Sequence, residues 1–189
     1  MNTQTLLLII DDDPMIHKIM TRILAPIGTV LVATDGKEGV DLAMAHTPDL
    51  ILLDMIMPGL NGQEVIHALQ SHTQTRDIPV IFVTAETNFE VEANALEMGA
   101  VDFISKPVNP IVLVSRVNTH LRLRHRELEL ARLYAELDHK NHQLEDLSTH
   151  DQLTGLYNRV MLNDFIEKQF AYLIRNQSPC CLVMLDLDH

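Results

Sequence analysis

Reactive side chains stand at the ends of several short apolar runs in the first part of the sequence. They are three consecutive carboxylates, a fourth carboxylate after a central run, a hydroxyl and an ammonium: Asp11, Asp12, Asp13, Asp54, Thr84 and Lys106. Carboxylates that lie together repel one another and are stabilised by a divalent cation. Because the donors are oxygen atoms, we expect that cation to be Mg²⁺.

Asp54 follows a central apolar run and can serve as a nucleophile as well as a metal ligand. Transfer of a phosphoryl group requires that the charge on its equatorial oxygens be neutralised. Mg²⁺ and Lys106 would neutralise that charge, and the Thr84 hydroxyl would donate a hydrogen bond to one oxygen. The residue types therefore predict phosphoryl transfer to Asp54.

Each of these residues also has a plainer interpretation when it is taken alone. Asp13 precedes a proline and could simply cap a helix. Thr84 could be an ordinary residue at the end of a strand, and Lys106-Pro107 could be a loop. Their occurrence at successive strand ends favours a shared site, because those ends meet at one edge of a parallel sheet.

The elements that must position this site form a repeated strand–helix pattern. Apolar runs predict strands at 6–10, 29–33, 50–53, 79–84 and 101–105. Three of these runs are continuous, which is typical of parallel strands buried on both faces. Helix-start signals follow the runs at Asp13-Pro14, Asp35/Glu38, Asn61/Glu64, Thr87/Glu90 and Asn109-Pro110. The pattern predicts an α/β fold with a doubly wound, five-stranded parallel sheet.

Composition narrows the range of partners. The chain carries 26 acidic and 14 basic residues, a formal net charge of −12, which argues against nonspecific binding of nucleic acid. No apolar run reaches the ~18 residues that span a membrane, and the first residues lack a basic signal segment. We therefore expect no membrane insertion. Cys180 and Cys181 are adjacent and predict no disulfide, so we expect the protein to work in a reducing cytoplasm.

Four segments together resemble the receiver domain of bacterial two-component response regulators: the Asp-Asp-Asp-Pro turn, Leu-Leu-Asp54-Met-Ile-Met-Pro58-Gly59, Val-Thr84-Ala85 and Ser-Lys106-Pro107. The resemblance covers residues 5 to about 122. It implies a flavodoxin-like fold and a sensor histidine kinase that phosphorylates Asp54. It also implies that the Lys106-Pro107 peptide bond is cis.

The same resemblance assigns a role to each site residue. The Mg²⁺ ligands would be Asp11, Asp12, Asp54 and the backbone carbonyl of Ile56, with Asp12 a direct ligand. Thr84 and Lys106 would bind the phosphoryl group. Thr84 and Phe103 would form the switch pair, and Phe103 lacks the hydroxyl of the tyrosine that is common at this position.

A long helix is predicted to leave this domain, because no Gly or Pro occurs from Ile111 to Thr154. Leu123, Leu130, Leu137 and Leu144 recur every seven residues, which favours a coiled coil. Asn141 at a core position favours a parallel homodimer. The alternative is a single amphipathic connector helix.

The last segment contains Asp151-Gln-Leu-Thr-Gly-Leu-Tyr-Asn-Arg159 and ends in Leu-Asp186-Leu-Asp188. It resembles the start of a diguanylate cyclase domain, the type named for a Gly-Gly-Asp-Glu-Phe loop. The resemblance implies that Asp186 is a catalytic metal ligand in the longer parent, although spacing alone would make it a strand-end turn. The signature loop does not occur in this sequence, so we expect a truncated domain that does not make cyclic di-GMP.

These observations predict a receiver domain at 1–122, a coiled-coil linker helix at 123–149 and the start of a cyclase domain at 150–189. The predicted protein is a response regulator whose phosphorylation controls dimerisation. Its full-length parent would use GTP to make cyclic di-GMP. Two alternatives stay open. One is a receiver that acts only by docking to a partner, and the other is a receiver without enzymatic output whose helix only scaffolds a kinase complex.

Overall fold

A computed structural model of the protein describes residues 5–85, 98–151, 153–177, 179, 181 and 183. Within the helix that contains them, the side chains of residues 144–147 lie outside this description. The chain divides into two compact units, Met1–Glu129 and Leu130–His189.

The first unit is built on one parallel sheet of five strands. They are β1 (Leu6–Ile10), β2 (Thr29–Ala33), β3 (Leu50–Asp54), β4 (Val80–Thr84) and β5 (Asp102–Ser105). Their order across the sheet is β2-β1-β3-β4-β5, and all four neighbouring pairs are parallel. The predicted strands and the predicted doubly wound topology are confirmed.

Every residue of β3 and β4 is buried, as the continuous apolar runs indicate. One buried cluster includes Leu8, Ile51 and Phe82, and a second includes Leu7, Leu52 and Ile81. Because side chains alternate along a strand, these clusters lie on opposite faces of the sheet. Each face therefore has its own apolar core.

Four of the described helices follow strands where their start signals predict them. They are α1 (Pro14–Leu24), α2 (Gly36–His46), α3 (Gly62–Ser71) and α4 (Pro110–Thr149). A further helix, α5 (Arg159–Asn176), comes after α4. Asp13 caps α1 by accepting a hydrogen bond from the Met15 N–H, and Asn61 and Glu64 form a complete capping box. The signal predicted at Thr87/Glu90 lies outside the described residues.

The second predicted capping box forms only in part. Asp35 accepts a hydrogen bond from the Glu38 N–H at 2.9 Å, as predicted. The Glu38 carboxylate, however, accepts from the Thr34 N–H at 2.7 Å and from the Thr34 hydroxyl at 2.9 Å. It therefore reaches one residue beyond the cap, because Thr34 offers two donors together.

Helix α4 is 40 residues long and begins at Pro110, where Asn109 accepts hydrogen bonds from the Ile111 and Val112 N–H groups. Its first turns are anchored in the second apolar cluster through Leu113, Val117 and Leu121. Farther along, Leu123, Leu130 and Leu137 are each about half exposed, at 49%, 54% and 55%. The predicted long helix is confirmed.

A tight turn links α4 to α5 in the second unit. The Asp151 carboxylate accepts hydrogen bonds from the Leu153 and Thr154 N–H groups and from the Thr154 hydroxyl. Asn158 then caps α5 by accepting from the Met161 N–H at 3.0 Å. Among the described residues, no helix is both long and apolar enough to cross a membrane.

Candidate functional site

The predicted site residues meet at the carboxyl ends of the strands. Asp11 and Asp12 follow β1, Asp54 is the last residue of β3, and Thr84 is the last residue of β4. The strand order reverses between β1 and β3, which is where open parallel sheets bind their ligands. The topology therefore brings the predicted carboxylates to the position where a ligand site is expected.

Asp11 is the most buried carboxylate of the site, with 1% of its surface exposed. Its Oδ1 atom accepts a hydrogen bond from the Asp13 N–H at 2.9 Å. The ring of His17 lies 2.5 Å through its Nε2 atom from the Asp11 carbonyl oxygen, so Nε2 is the donor in this contact. These bonds fix both the side chain and the backbone of Asp11.

Lys106 joins the two buried carboxylates. Its Nζ atom donates to Asp54 Oδ2 at 2.7 Å and lies 2.9 Å from Asp11 Oδ2. The other oxygen of Asp54, Oδ1, accepts a hydrogen bond from the Ile56 N–H at 3.3 Å. Lys106 reaches this position from the loop after β5, where the Lys106-Pro107 bond is cis as predicted.

Burial and Lys106 shift the pKa of Asp54 in opposite directions. Burial raises the pKa of Asp54 and the nearby Asp11 charge raises it further, while Lys106 and the Ile56 N–H oppose the rise without cancelling it. Burial alone would lower the pKa of Lys106, but its proximity to the carboxylates of Asp54 and Asp11 raises it overall. At Asp54 the effect of burial therefore outweighs that of Lys106.

The donor set fits a divalent cation. One oxygen from each of Asp11, Asp12 and Asp54 lies within 4.8 Å of the other two. Asp11 Oδ2 is buried and accepts no hydrogen bond of good geometry, although Lys106 Nζ is nearby. A hard cation with oxygen ligands, as Mg²⁺ is, would satisfy that oxygen. The Ile56 carbonyl as a further ligand stays a prediction.

Thr84 and Phe103 lie on the same face of the sheet. Thr84 is buried and pairs in register with Ser105, while Phe103 pairs with Phe82. Residues two apart on a strand point to the same face, so Thr84 lies on the face of Phe82. Phe103 is the partner of Phe82 on β5 and lies on that face too. Phe103 is half-buried and packs against the first apolar cluster.

Two groups of contacts in the first unit were not predicted from the sequence. One is the bond from His17 to the Asp11 carbonyl. The other is the Asp102 carboxylate, which binds Arg116 and His120 of helix α4. The four-residue spacing of Arg116 and His120 places both on one helix face, but nothing in the sequence indicates their partner.

The remaining predicted residues belong to helix α4 or lie outside the described residues. Leu123, Leu130, Leu137 and Asn141 are exposed on α4, and their role in a dimer stays a prediction. The side chain of Leu144 lies outside the described residues, as do Asp186 and Asp188.

The geometry defines a doubly wound parallel sheet with a cluster of carboxylates, paired with Lys106, at the point where the strand order reverses. The family description "Response regulator receiver domain" matches residues 7–118. The chain belongs to the response regulator receiver family. The description "Diguanylate cyclase, GGDEF domain" matches residues 148–189, so the start of a second domain of that type begins at the end of helix α4.

Known proteins share the receiver part of the chain. A Vibrio cholerae protein named "Probable cyclic di-GMP phosphodiesterase" is 40% identical over 120 residues, which are 64% of this chain and 27% of that protein. Response regulator PleD of Caulobacter vibrioides is 34% identical over 119 residues, 62% of this chain and 26% of that protein. The chain thus matches about a quarter of each of these relatives.

A solved structure supports the fold. The chemotaxis protein CheY4 of Vibrio cholerae superposes with a TM-score of 0.59 at 28% identity, and the alignment covers 62% of this chain and 98% of that one. The predicted flavodoxin-like receiver architecture is confirmed.

Proposed function

We propose that this chain is the phosphorylated switch of a cytoplasmic response regulator, with Asp54 as the phosphoryl acceptor. The observation that carries the proposal is that Lys106 bridges the carboxylates of Asp54 and Asp11, with an oxygen of Asp12 within 4.8 Å of both carboxylates. Each of these residues has a task in phosphoryl transfer to a carboxylate.

A carboxylate oxygen of Asp54 would form a bond to the phosphorus of a kinase phosphohistidine while the phosphorus–nitrogen bond breaks. The imidazole leaves with the bonding electron pair and takes a proton from solvent. Asp11, Asp12 and Asp54 would hold the Mg²⁺, which neutralises charge on the transferred oxygens. Lys106 lies 2.7 Å from Asp54 and would bind one of those oxygens after transfer.

Thr84 and Phe103 are proposed to read the phosphorylated state. The Thr84 hydroxyl would bond to a phosphoryl oxygen, and Phe103, on the same sheet face, would then move toward the space that Thr84 leaves. Phe103 has no hydroxyl, so its signal would be steric. The half-buried position of Phe103 at the edge strand supports such a movement.

Helix α4 is proposed to carry this signal into a parallel homodimer. Its leucines at 123, 130 and 137 are about half exposed in one chain, and a second copy would bury them. Asn141, also exposed, would meet its own copy in a parallel pair. We propose the domain boundaries that the sequence predicts: a receiver domain at 1–122, a coiled-coil linker helix at 123–149 and the start of a cyclase domain at 150–189.

The proposed output is cyclic di-GMP synthesis from two GTP molecules by a full-length parent. The match of residues 148–189 to the diguanylate cyclase description supports this output. Asp186 would be a ligand of the cyclase metal in that parent.

Beryllofluoride, which mimics a phosphoryl group, tests the proposal for Asp54. We expect the chain to bind it in a Mg²⁺-dependent manner, with a fluorine NMR signal that is absent in Asp54→Asn. Asp41→Asn is the matched control, because Asp41 is an exposed carboxylate on α2, away from the strand ends. Phosphorylation by acetyl phosphate that survives Asp54→Asn would refute the assignment.

A further inference from the structure

Arg116 of helix α4 contacts two consecutive residues of the edge strand β5. Its Nη1 atom forms a close ion pair with Asp102 Oδ1. The central carbon of its guanidinium lies 5.6 Å from the centre of the Phe103 ring, within the range of a cation–π contact. One helix side chain therefore touches both an anchoring carboxylate and the aromatic residue at the proposed switch position.

These contacts join the two faces of the sheet. Phe103 packs against the first apolar cluster, whereas Ile104 and α4 residues Leu113 and Val117 belong to the second. Asp102 precedes Phe103 and shares the face of Ile104, because side chains alternate along the strand. Arg116 starts on the α4 face and reaches around the edge strand to the ring of Phe103.

Asp102 holds this arrangement from the strand side. Its carboxylate also lies 3.1 Å from His120 Nε2, one turn beyond Arg116, so two α4 side chains share it. Burial alone would raise the pKa of Asp102, yet its bonds to Arg116, the Phe103 N–H and His120 lower it overall. The carboxylate is therefore charged at neutral pH and keeps Arg116 at the strand edge.

We propose that Arg116 is a positioning residue that couples the Phe103 side chain to helix α4. When Phe103 leaves its half-exposed position, Arg116 loses the ring on which it lies, and the first turns of α4 change their attachment to the sheet. The inference rests on the proposed function for its trigger, the phosphoryl group. The contact of Arg116 with Phe103 exists without that trigger and can be tested separately.

Arg116→Lys separates the two contacts of the arginine. Lysine keeps the positive charge that pairs with Asp102, but it lacks the planar guanidinium that stacks on a ring. Phe103→Leu removes the ring and keeps an apolar residue. If the ring contact couples strand and helix, both variants should have the same effect on α4.

Hydrogen exchange of backbone amides in residues 113–121 is the first readout, measured without a phosphoryl mimic. We expect about threefold faster exchange in Arg116→Lys and in Phe103→Leu, and no additive effect in the double variant. Arg122→Lys is the control, since Arg122 donates to the Asn118 carbonyl of its own helix at 3.2 Å. Unchanged exchange in Arg116→Lys would overturn the proposal.

Beryllofluoride with Mg²⁺ supplies the second readout. In the unmodified chain and in Arg122→Lys we expect it to change amide exchange in 113–121. In Arg116→Lys it should still bind, as seen by fluorine NMR, and change that exchange much less. An equal response in Arg116→Lys would overturn the coupling, whereas failure of the unmodified chain to bind beryllofluoride would instead refute the proposed function of Asp54.

Discussion

The two units of the chain bury their apolar residues to very different extents. In the first unit, large side chains such as Phe82, Leu52 and Ile66 are fully buried on the two faces of the sheet. In the second unit, helix α5 has no buried residue, and Phe165, Phe170 and Ile174 are 56%, 57% and 77% exposed. The first unit therefore contains its own core, whereas the described part of the second does not.

This difference indicates that the first unit has the packed core that a rigid functional site requires. A parallel sheet covered on both faces can hold carboxylates rigidly at its edge, because its strands are fixed by two cores. A helix with an exposed apolar face gains stability only when other polypeptide covers that face. Four changes should affect the free energy of unfolding of the first unit to different extents, and together they test this difference between the units.

The largest effect is expected from Phe82→Ala in the centre of β4. The ring is fully buried, so its removal should lower the free energy of unfolding by about 3–5 kcal/mol through lost burial and a cavity. Phe165→Ala on α5 is the matched control and should change it by less than about 0.5 kcal/mol. Urea denaturation followed by circular dichroism measures both; similar losses in the two variants would remove the contrast between the units.

Mg²⁺ should stabilise the first unit by binding the folded acidic site. At ten times its dissociation constant, it would raise the free energy of unfolding by about 1.4 kcal/mol. Asp12→Asn, at the exposed carboxylate of the site, should abolish most of that gain, and Asp41→Asn should not. Thermal denaturation with Mg²⁺ or EDTA is the measurement. A gain that survives in Asp12→Asn would place the ion elsewhere.

The contribution of Asp102 should depend on pH. Its folded pKa is lowered, so its stabilisation is present above the unfolded pKa of about 4 and is lost as pH falls through the folded value. At pH 7, Asp102→Asn should cost about 1 kcal/mol through lost bonds to Arg116 and His120. Urea titrations at pH 7 and pH 3 should show this difference shrink; a constant difference would mean that the carboxylate charge is not involved.

The smallest effect on the first unit is expected from Leu130→Asp combined with Leu137→Asp. Both leucines are about half exposed on α4 and belong to the second unit, so the unfolding of the first should change by less than about 0.5 kcal/mol. The proposed dimer, in contrast, should dissociate, because each of its two chains would place two charges in the seam. Sedimentation at tens of micromolar protein tests this, and a dimer that persists would place the contact on another surface.

Much of the first unit could be predicted from the sequence because its signals are local. The apolar runs located all five strands to within one residue at either end, and Asp13, Asn61 and Asn109 each cap the predicted helix. The site followed, since strand order brings the ends of β1 and β3 together. Asp54 is itself the last residue of its strand, one residue later than the apolar run suggested.

Other contacts depend on tertiary structure and could not be predicted in this way. The contact between His17 and the Asp11 carbonyl requires the angle at which α1 leaves the strand. The contact of Arg116 with Phe103 requires the position of α4 beside the edge strand. Neither residue belongs to a motif, and neither contact follows from spacing along the chain.

Two glycines in the segment after Asp54, Gly59 and Gly62, should respond differently in a mutational library. Gly62 begins α3, and a methyl group there would lie 2.6 Å from the Asp54 carbonyl oxygen and 3.0 Å from the Phe82 ring. Gly59 has open space around it but a φ of +81°, which other residues rarely adopt. Asparagine, which tolerates a left-handed backbone, should survive selection at 59 and not at 62. The segment after Asp54 is thus constrained by backbone conformation at Gly59 and by the space available for a side chain at Gly62.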